Sequence, residues 1–379
     1  MRELPDTGAV IVTVASVAGR PGRARVECTR RIQPSALLLG RKAGPELSQL
    51  LSILYMLCPA AQSCAWETAS ELAMTGSLDP EKRAARAAAI QLEAMGEHMR
   101  CFALELPKSL GIDETQDMRP LGALRAKSRF ATLLDEKARE KLLAEARDAT
   151  RGLLFGETTP LPSLEERLSA DEVEERISEL RTVLRPVLAY LLSLPDELGR
   201  CSEARLETSR EAVRLELTEA LKNPDFCLRP RLFSGPVQTS ALARRCHARA
   251  LLPRLLKNGA NSFDYFYARF LELGHWCRGF EDPARLVSGF SPEPDVGVSF
   301  VETARGTLIH RARIERGVVR EAAIVAPTEW NFLPGGPAEE ALSSIRSDNW
   351  ASWQARASIV VRQFDACIPF RIRTEASNA

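Results

Sequence analysis

Cys58 lies in "LYMLCPAAQSCAWETASELAM" and Cys367 in "VVRQFDACIPFRIR", near opposite ends of the chain. Cysteine sulfur is a soft metal donor once deprotonated. Pro59 suits the first position of a helix, so Cys58 reads as that helix's N-cap. The positive helix end would then favour a thiolate at Cys58. Cys64 follows six residues on, away from that face of the helix. Cys367 follows a helical stretch and leads through Pro369 into a strand-like segment. The opposing reading makes all three small buried hydrophobes. The chain has nine cysteines, at 28, 58, 64, 101, 201, 227, 246, 277 and 367, with no CxxC pair. Spacing alone therefore defines no metal site.

The elements that must position these residues are legible from periodicity. "AVIVTVASV" and "RARVECT" flank "GRPGR" and predict a hairpin within residues 1–30. Residues 43–58 take up a helical period, with Leu47, Leu51, Leu54 and Cys58 on one face. Helices are predicted at about 60–75, 80–106, 133–154, 170–193, 203–222 and 237–274. Ser169 with Glu172 forms a capping box, and Pro186 should kink the helix that follows. A stretch at 107–122 containing Gly and Pro interrupts the pattern. After Gly289 strands return: "VGVSFVET", "TLIHRARI" and "VVREAAIVA". Short helices near 337–346 and 351–362 lead into Cys367. Strands at both ends with helices between predict one α+β domain over 1–379, with a hairpin at 1–30, a mainly helical part at 43–285, and strands with the C-terminal site segment at 296–379. Both ends are expected to pair or pack together.

Composition narrows the function classes. With 45% hydrophobic and 27% charged residues, the chain can fold as a soluble globular protein with a sizeable core. A formal net charge of +1 gives no global field for nucleic acid or an anionic membrane. The opening "MRELPDTGAVIVTV" lacks the pattern of a secretory signal. "VLRPVLAYLLSL" is too short and too polar to span a bilayer. A cytoplasmic location is the expectation.

One run is specific: "ETARGTLIHRARIERGVVREAAIVAPTEWNFLPGGPAEEAL", residues 302–342. It resembles the A-P-R-G turn, hairpin and P-T-x-W-N of [NiFe]-hydrogenase large subunits. "LYMLCPAAQSCA" is similar to their R-I-C-G-x-C-x-x-x-H, and "VVRQFDACIPFRIR" to their S-F-D-P-C-x-x-C-x-x-H. "TSALAR" at 239–244 and "ARFLEL" at 268–273 occupy fitting places. The resemblance spans nearly the whole chain and implies a hydrogenase large-subunit-like α+β fold, with a central helical bundle and strands from both end segments. It also implies that the first cysteine of each metal-binding pair is present, as Cys58 and Cys367. Ala61 and Phe370 stand where the bridging cysteines would be, and Ala65 and Arg373 at the two histidine positions. Phe370 is expected to intrude where a bridging sulfur would sit. The segment after the last motif, "TEASNA", is shorter than a hydrogenase precursor's cleavable extension. Arg305 matches the arginine that contacts an iron-bound cyanide. Thr328, after Pro327, matches the hydroxyl residue that does similar work.

Two thiolates cannot hold a nickel–iron pair in the usual way, so nickel is not expected. Guanidinium donors suit anionic acceptors, and soft thiolates suit low-spin iron. The pattern is similar to the HupK/HoxV-type hydrogenase expression/formation proteins. That resemblance implies a non-catalytic maturation scaffold. Such a scaffold transiently holds an iron–dicyano–carbonyl fragment for transfer to an apo large subunit. Its implied partners are that subunit, a HypC-type chaperone and the HypC–HypD complex. Cys58 and Cys367 are the expected iron ligands, with Cys64 able to replace either, and their sulfurs should lie within about 6 Å, given metal–sulfur bonds near 2.3 Å. The competing readings are a metal-free docking protein of the same pathway and a working hydrogenase.

Overall fold

The computed structural model describes residues 8–17, 20–30, 34–112, 117–128 and 130–376. Parts of the expected N-terminal hairpin (1–7, 18–19) and the last three residues lie outside the described set. Strands β1 (Val10–Val17) and β2 (Arg20–Cys28) pair antiparallel. Val10, Val12 and Val14 are fully buried on one face of β1, the period of two expected for a strand with one face in the core. Next come α1 (Pro45–Leu54), α2 (Pro59–Thr75) and α3 (Pro80–Arg100). α3 runs on through a π-helical turn, Cys101–Glu105, into the short helix Leu106–Leu110.

Four strands follow the helical part: β3 (Val287–Phe290), β4 (Val296–Thr303), β5 (Gly306–Glu315) and β6 (Val318–Val325), an antiparallel sheet in that order. The last strand, β7 (Phe370–Ala376), returns to the first sheet and pairs parallel with β1, from Val10 opposite Phe370 to Ser16 opposite Ala376. The sheet order is β2-β1-β7, so strands from the two ends of the chain do pair. That ladder fixes Cys367, three residues before β7.

The sheet β3–β6 is buried on both faces. Val298, Phe300, Ile309 and Val325 pack with Trp330 and Leu217 on one side. On the other, α2 lies directly on β4. α2 is rich in alanine, and Gly297 of β4 meets it backbone to backbone: a Cβ there would fall 2.0 Å from the Ala69 carbonyl oxygen. Ser299 Oγ donates to the Ala65 carbonyl at 2.8 Å. The glycine thus sets how closely α2, and Cys58 at its start, approaches the sheet.

Several local expectations change. Leu54 is 42% exposed, because α1 ends there and the chain turns through Tyr55 before Cys58. Pro186 kinks nothing. The helix Ala170–Glu179 stops first, and Pro186 sits in the opening turn of a separate helix, Leu184–Leu192, where its missing N–H is no loss. The Ser169–Glu172 capping box is present. The 203–222 helix shortens to Glu211–Ala220, because the backbone around Arg205 instead bonds to Gln238: Leu206 N donates to the Gln238 carbonyl and Gln238 N to the Ala204 carbonyl. The 237–274 helix is three: Ala241–Arg245, Leu252–Asn258 and Ser262–Arg278. Gly259, at a left-handed φ of 69°, ends the second, and Asn261 caps the third with Asp264. The 107–122 stretch is partly helical, with a helix Arg119–Ser128 starting inside it.

Candidate functional site

Cys58 is the N-cap of α2 with Pro59 at N1, but its side chain caps nothing. The free N–H groups of that turn go to a carboxylate from α3. Glu93 Oε2 accepts from Ala60 N at 2.7 Å and Oε1 from Ala61 N at 3.1 Å. The positive end of α2 is therefore occupied by Glu93 rather than by a thiolate. The Cys58 thiol is pushed well above its ordinary range, first by burial, then by the Cys367 thiol and by Glu93. The thiolate expected at Cys58 from the helix end is corrected accordingly: desolvation first, and then the neighbouring Cys367 and Glu93, outweigh the dipole. Its sulfur faces Gln62 Nε2 at 4.0 Å, and Gln62 Oε1 meets His310 Nε2 at 2.8 Å.

Cys367 comes from the other end of the chain. The helix Trp350–Phe364 ends on Asp365, whose φ of 51° turns the chain sharply, and Cys367 follows. Thr328 Oγ1 accepts from the Cys367 N–H at 3.2 Å and lies 3.1 Å from the Cys367 sulfur. Arg30 Nη2 donates to the same sulfur at 3.1 Å. Thr328 and Pro327 sit, buried, in the first turn of the helix Pro327–Asn331.

Arg305 occupies the tight turn between β4 and β5, where Gly306 takes a φ of 130° that disfavours any side chain. The arginine is 3% exposed. Nη2 donates to Glu97 Oε2 at 2.6 Å, and Nε lies 3.5 Å from Asp365 Oδ2 without a hydrogen-bond partner among the described residues. Burial works against the Arg305 charge, but Asp365 and Glu97 outweigh it and hold the guanidinium protonated; both cysteines add to that pull. Burial likewise opposes ionisation of Glu97, and Arg305 and Arg100 overcome it. For Glu93, burial outweighs the Ala60 and Ala61 N–H bonds and the pull of Arg305. Burial lifts its carboxyl to about 7.

Two cavities open on this cluster. One of about 440 Å³ is bordered by Met56, Leu57, Pro59, Glu93, Glu97 and Phe130. Another of about 250 Å³ is bordered by Leu57, Arg100, Asp365, Cys367 and Phe370. The Phe370 ring forms part of the wall beside Cys367, with the Arg362 guanidinium 5.7 Å from its centre. Ala61 is fully buried and offers the cleft no donor atom.

The fold thus gathers Cys58, Cys367, Arg305, Pro327 and Thr328. It leaves Cys64 aside: that thiol is buried against the Arg86 carbonyl at 3.9 Å, with Glu67 and Arg86 as its charged neighbours. Among the described residues, no group of three or more His, Cys, Asp or Glu side chains is arranged to hold a metal ion. Sequence reasoning missed Arg30, Glu93, Glu97, Glu329 and Asp365. Glu93 and Glu97 did carry a signal, an acidic pair four residues apart on the alanine-rich face of "AAIQLEAMGEHM". Arg30 carried none.

The fold is that of a [NiFe]-hydrogenase large subunit. It superposes on a chain of an NAD+-reducing [NiFe]-hydrogenase in its H2-reduced state with a TM-score of 0.55 at 17% identity, over 92% of this chain and 93% of that one. In sequence the chain is similar to hydrogenase expression/formation proteins named HupK and HupV over most of its length, and to one named HoxV over 24% of it. It is 27% identical to HupK of Rhizobium leguminosarum bv. viciae, over 98% of this chain and 95% of that protein. It is 25% identical to HupV of Azotobacter chroococcum mcd 1, over 90% and 91%. No protein-family model matches the chain. No helix among the described residues is long and apolar enough to cross a membrane.

Proposed function

We propose that this chain is a non-catalytic scaffold in [NiFe]-hydrogenase maturation, holding an iron–dicyano–carbonyl fragment as cargo between Cys58 and Cys367. One observation carries the reading. Two thiols from opposite ends of the chain are near enough to act on each other electrostatically, the buried Arg305 guanidinium is drawn by both, and the Thr328 hydroxyl touches the Cys367 sulfur. The donor set fits a metal that brings most of its own ligands, and the Arg305 Nε has an unused proton for an anionic one. It does not fit a nickel–iron pair, for Ala61 supplies no sulfur and Phe370 lines the wall instead. Nickel therefore has no place in the proposal. Two sulfurs leave the iron replaceable, as a transfer role needs. The names of the relatives support a part in hydrogenase assembly. The proposed partners are the apo large subunit that receives the fragment and a HypC-type chaperone, alone or as the HypC–HypD complex, that supplies it. The proposed location is the cytoplasm.

That no three-ligand group occurs among the described residues favours a second reading, a metal-free docking protein of the same pathway. Infrared spectra of protein purified without oxygen separate the two. The scaffold shows bound cyanide and carbon monoxide bands, and Cys58→Ala and Cys367→Ala each lose them. Full band intensity in the double mutant would remove the thiols from the site. A wild type without bands that still binds the apo large subunit would establish the docking reading.

A further inference from the structure

Arg30 belongs to no motif in the sequence, yet it makes the closest charged contact to either thiol. It follows β2 and is largely buried, at 13% side-chain exposure. Its Nη1 donates to Glu329 Oε1 at 2.7 Å while Nη2 reaches the Cys367 sulfur at 3.1 Å. Glu329 is itself fixed: its other oxygen accepts from the Ala326 N–H at 3.1 Å, at the start of the helix that carries Thr328. One short helix therefore controls both polar contacts on the Cys367 sulfur, Thr328 directly and Arg30 through Glu329. Among the described residues Cys58 has no charged hydrogen-bond donor of this kind. Its side-chain donor is a neutral amide at 4.0 Å.

We propose that Arg30, held by Glu329, is a positioning residue for Cys367. It turns the sulfur into the cleft and donates a charge-assisted hydrogen bond to it, so that the two sulfurs offered to a metal are unequal. This rests on the scaffold reading for the identity of the cargo, but the contact itself does not. A cation bonded to a ligand sulfur draws electron density away from the metal it binds, as outer-shell donors do. The planar guanidinium spans Glu329 and the sulfur at once, which an ammonium cannot reproduce.

Two readouts test it on Arg30→Met, Arg30→Lys and Glu329→Gln, with circular dichroism to confirm folding. In cargo-free protein, iodoacetamide alkylation is followed by mass spectrometry at each cysteine. Arg30→Met should slow Cys367 about tenfold, the low end for a charge-assisted bond, and leave Cys58 unchanged. Arg30→Lys should recover part of that rate. Glu329→Gln, which loosens the guanidinium without removing it, should slow Cys367 less; it carries the test if Arg30→Met does not fold. In loaded protein, the carbon monoxide band should move to lower frequency in Arg30→Met, because the sulfur then donates more strongly to iron. Unchanged alkylation at Cys367 in the folded variants overturns the proposal, as does an unmoved band. If wild type shows no band, the scaffold reading fails, and alkylation alone decides the role of Arg30.

Discussion

Glu93 takes the N–H groups at the start of α2 and borders the larger cavity, so its ionisation is coupled to the site's stability. Burial raises its carboxyl from 4.5 to about 7. Between those values the folded chain keeps a proton that the unfolded chain has released. The contribution of this group to stability is therefore full below pH 4.5 and is lost as pH rises through about 7. The loss is at most about 3 kcal/mol. Urea unfolding at stepped pH should show this decline in wild type and a flatter profile in Glu93→Gln. An identical slope in both would mean that Glu93 ionises normally. Cys58 and Cys367 differ at the same scale. One is deeply desolvated beside Glu93, the other bonded by Arg30 and Thr328; on the scaffold proposal, binding of the iron fragment would displace a proton from Cys58.

At the scale of elements, α2 and β4 position Cys58, and the contact between them is backbone on backbone. An alanine at 297 would place its Cβ 2.0 Å from the Ala69 oxygen and 2.6 Å from the Ala73 nitrogen. Neither can rotate away, so α2 must lift from the sheet. Gly297→Ala is expected to destabilise the protein by about 3 kcal/mol, read as a lower denaturant midpoint. It should also weaken the cyanide and carbon monoxide bands, since Cys58 moves with α2. A midpoint equal to wild type would show that α2 does not rest on Gly297. On the other side of the cleft, the β1–β7 ladder and the helix Pro327–Asn331 hold Cys367.

Across the whole molecule, a buried ionic network joins the helices behind the site. Glu272 is fully buried and accepts from Arg244 at 2.7 Å and 2.8 Å, from Arg245 at 2.8 Å, and meets His98 at 3.0 Å. Arg244 also reaches the Thr303 carbonyl at 2.8 Å, two residues before Arg305, so the network braces the turn that carries that guanidinium. Removing the acid strands buried cations. Glu272→Ala should cost about 3–5 kcal/mol, measured by equilibrium unfolding, and Glu272→Gln less. A loss under about 1 kcal/mol, the level of an exposed pair, would mean that the network is solvated.

By itself the sequence determined the order and type of the elements, because period-two valines in β1 and β4 and helical periodicity in α1 to α3 are local patterns. It also pointed, through resemblance, to the large-subunit fold and to Cys58, Cys367, Arg305, Pro327 and Thr328. Local pattern failed where tertiary contacts outweighed propensity: at the division of 237–274 into three helices, and at the early end of the helix before Pro186. Only the tertiary structure decided the state of Cys58. A helix start favours a thiolate in isolation, but the fold buries this thiol, and Glu93, brought from α3, takes the N–H groups of the helix start. Only the fold could bring Arg30 to Cys367 and to Glu329. Such contacts depend on distance in space, and the chain places Arg30 337 positions from Cys367 and 299 from Glu329, with no periodicity to record it.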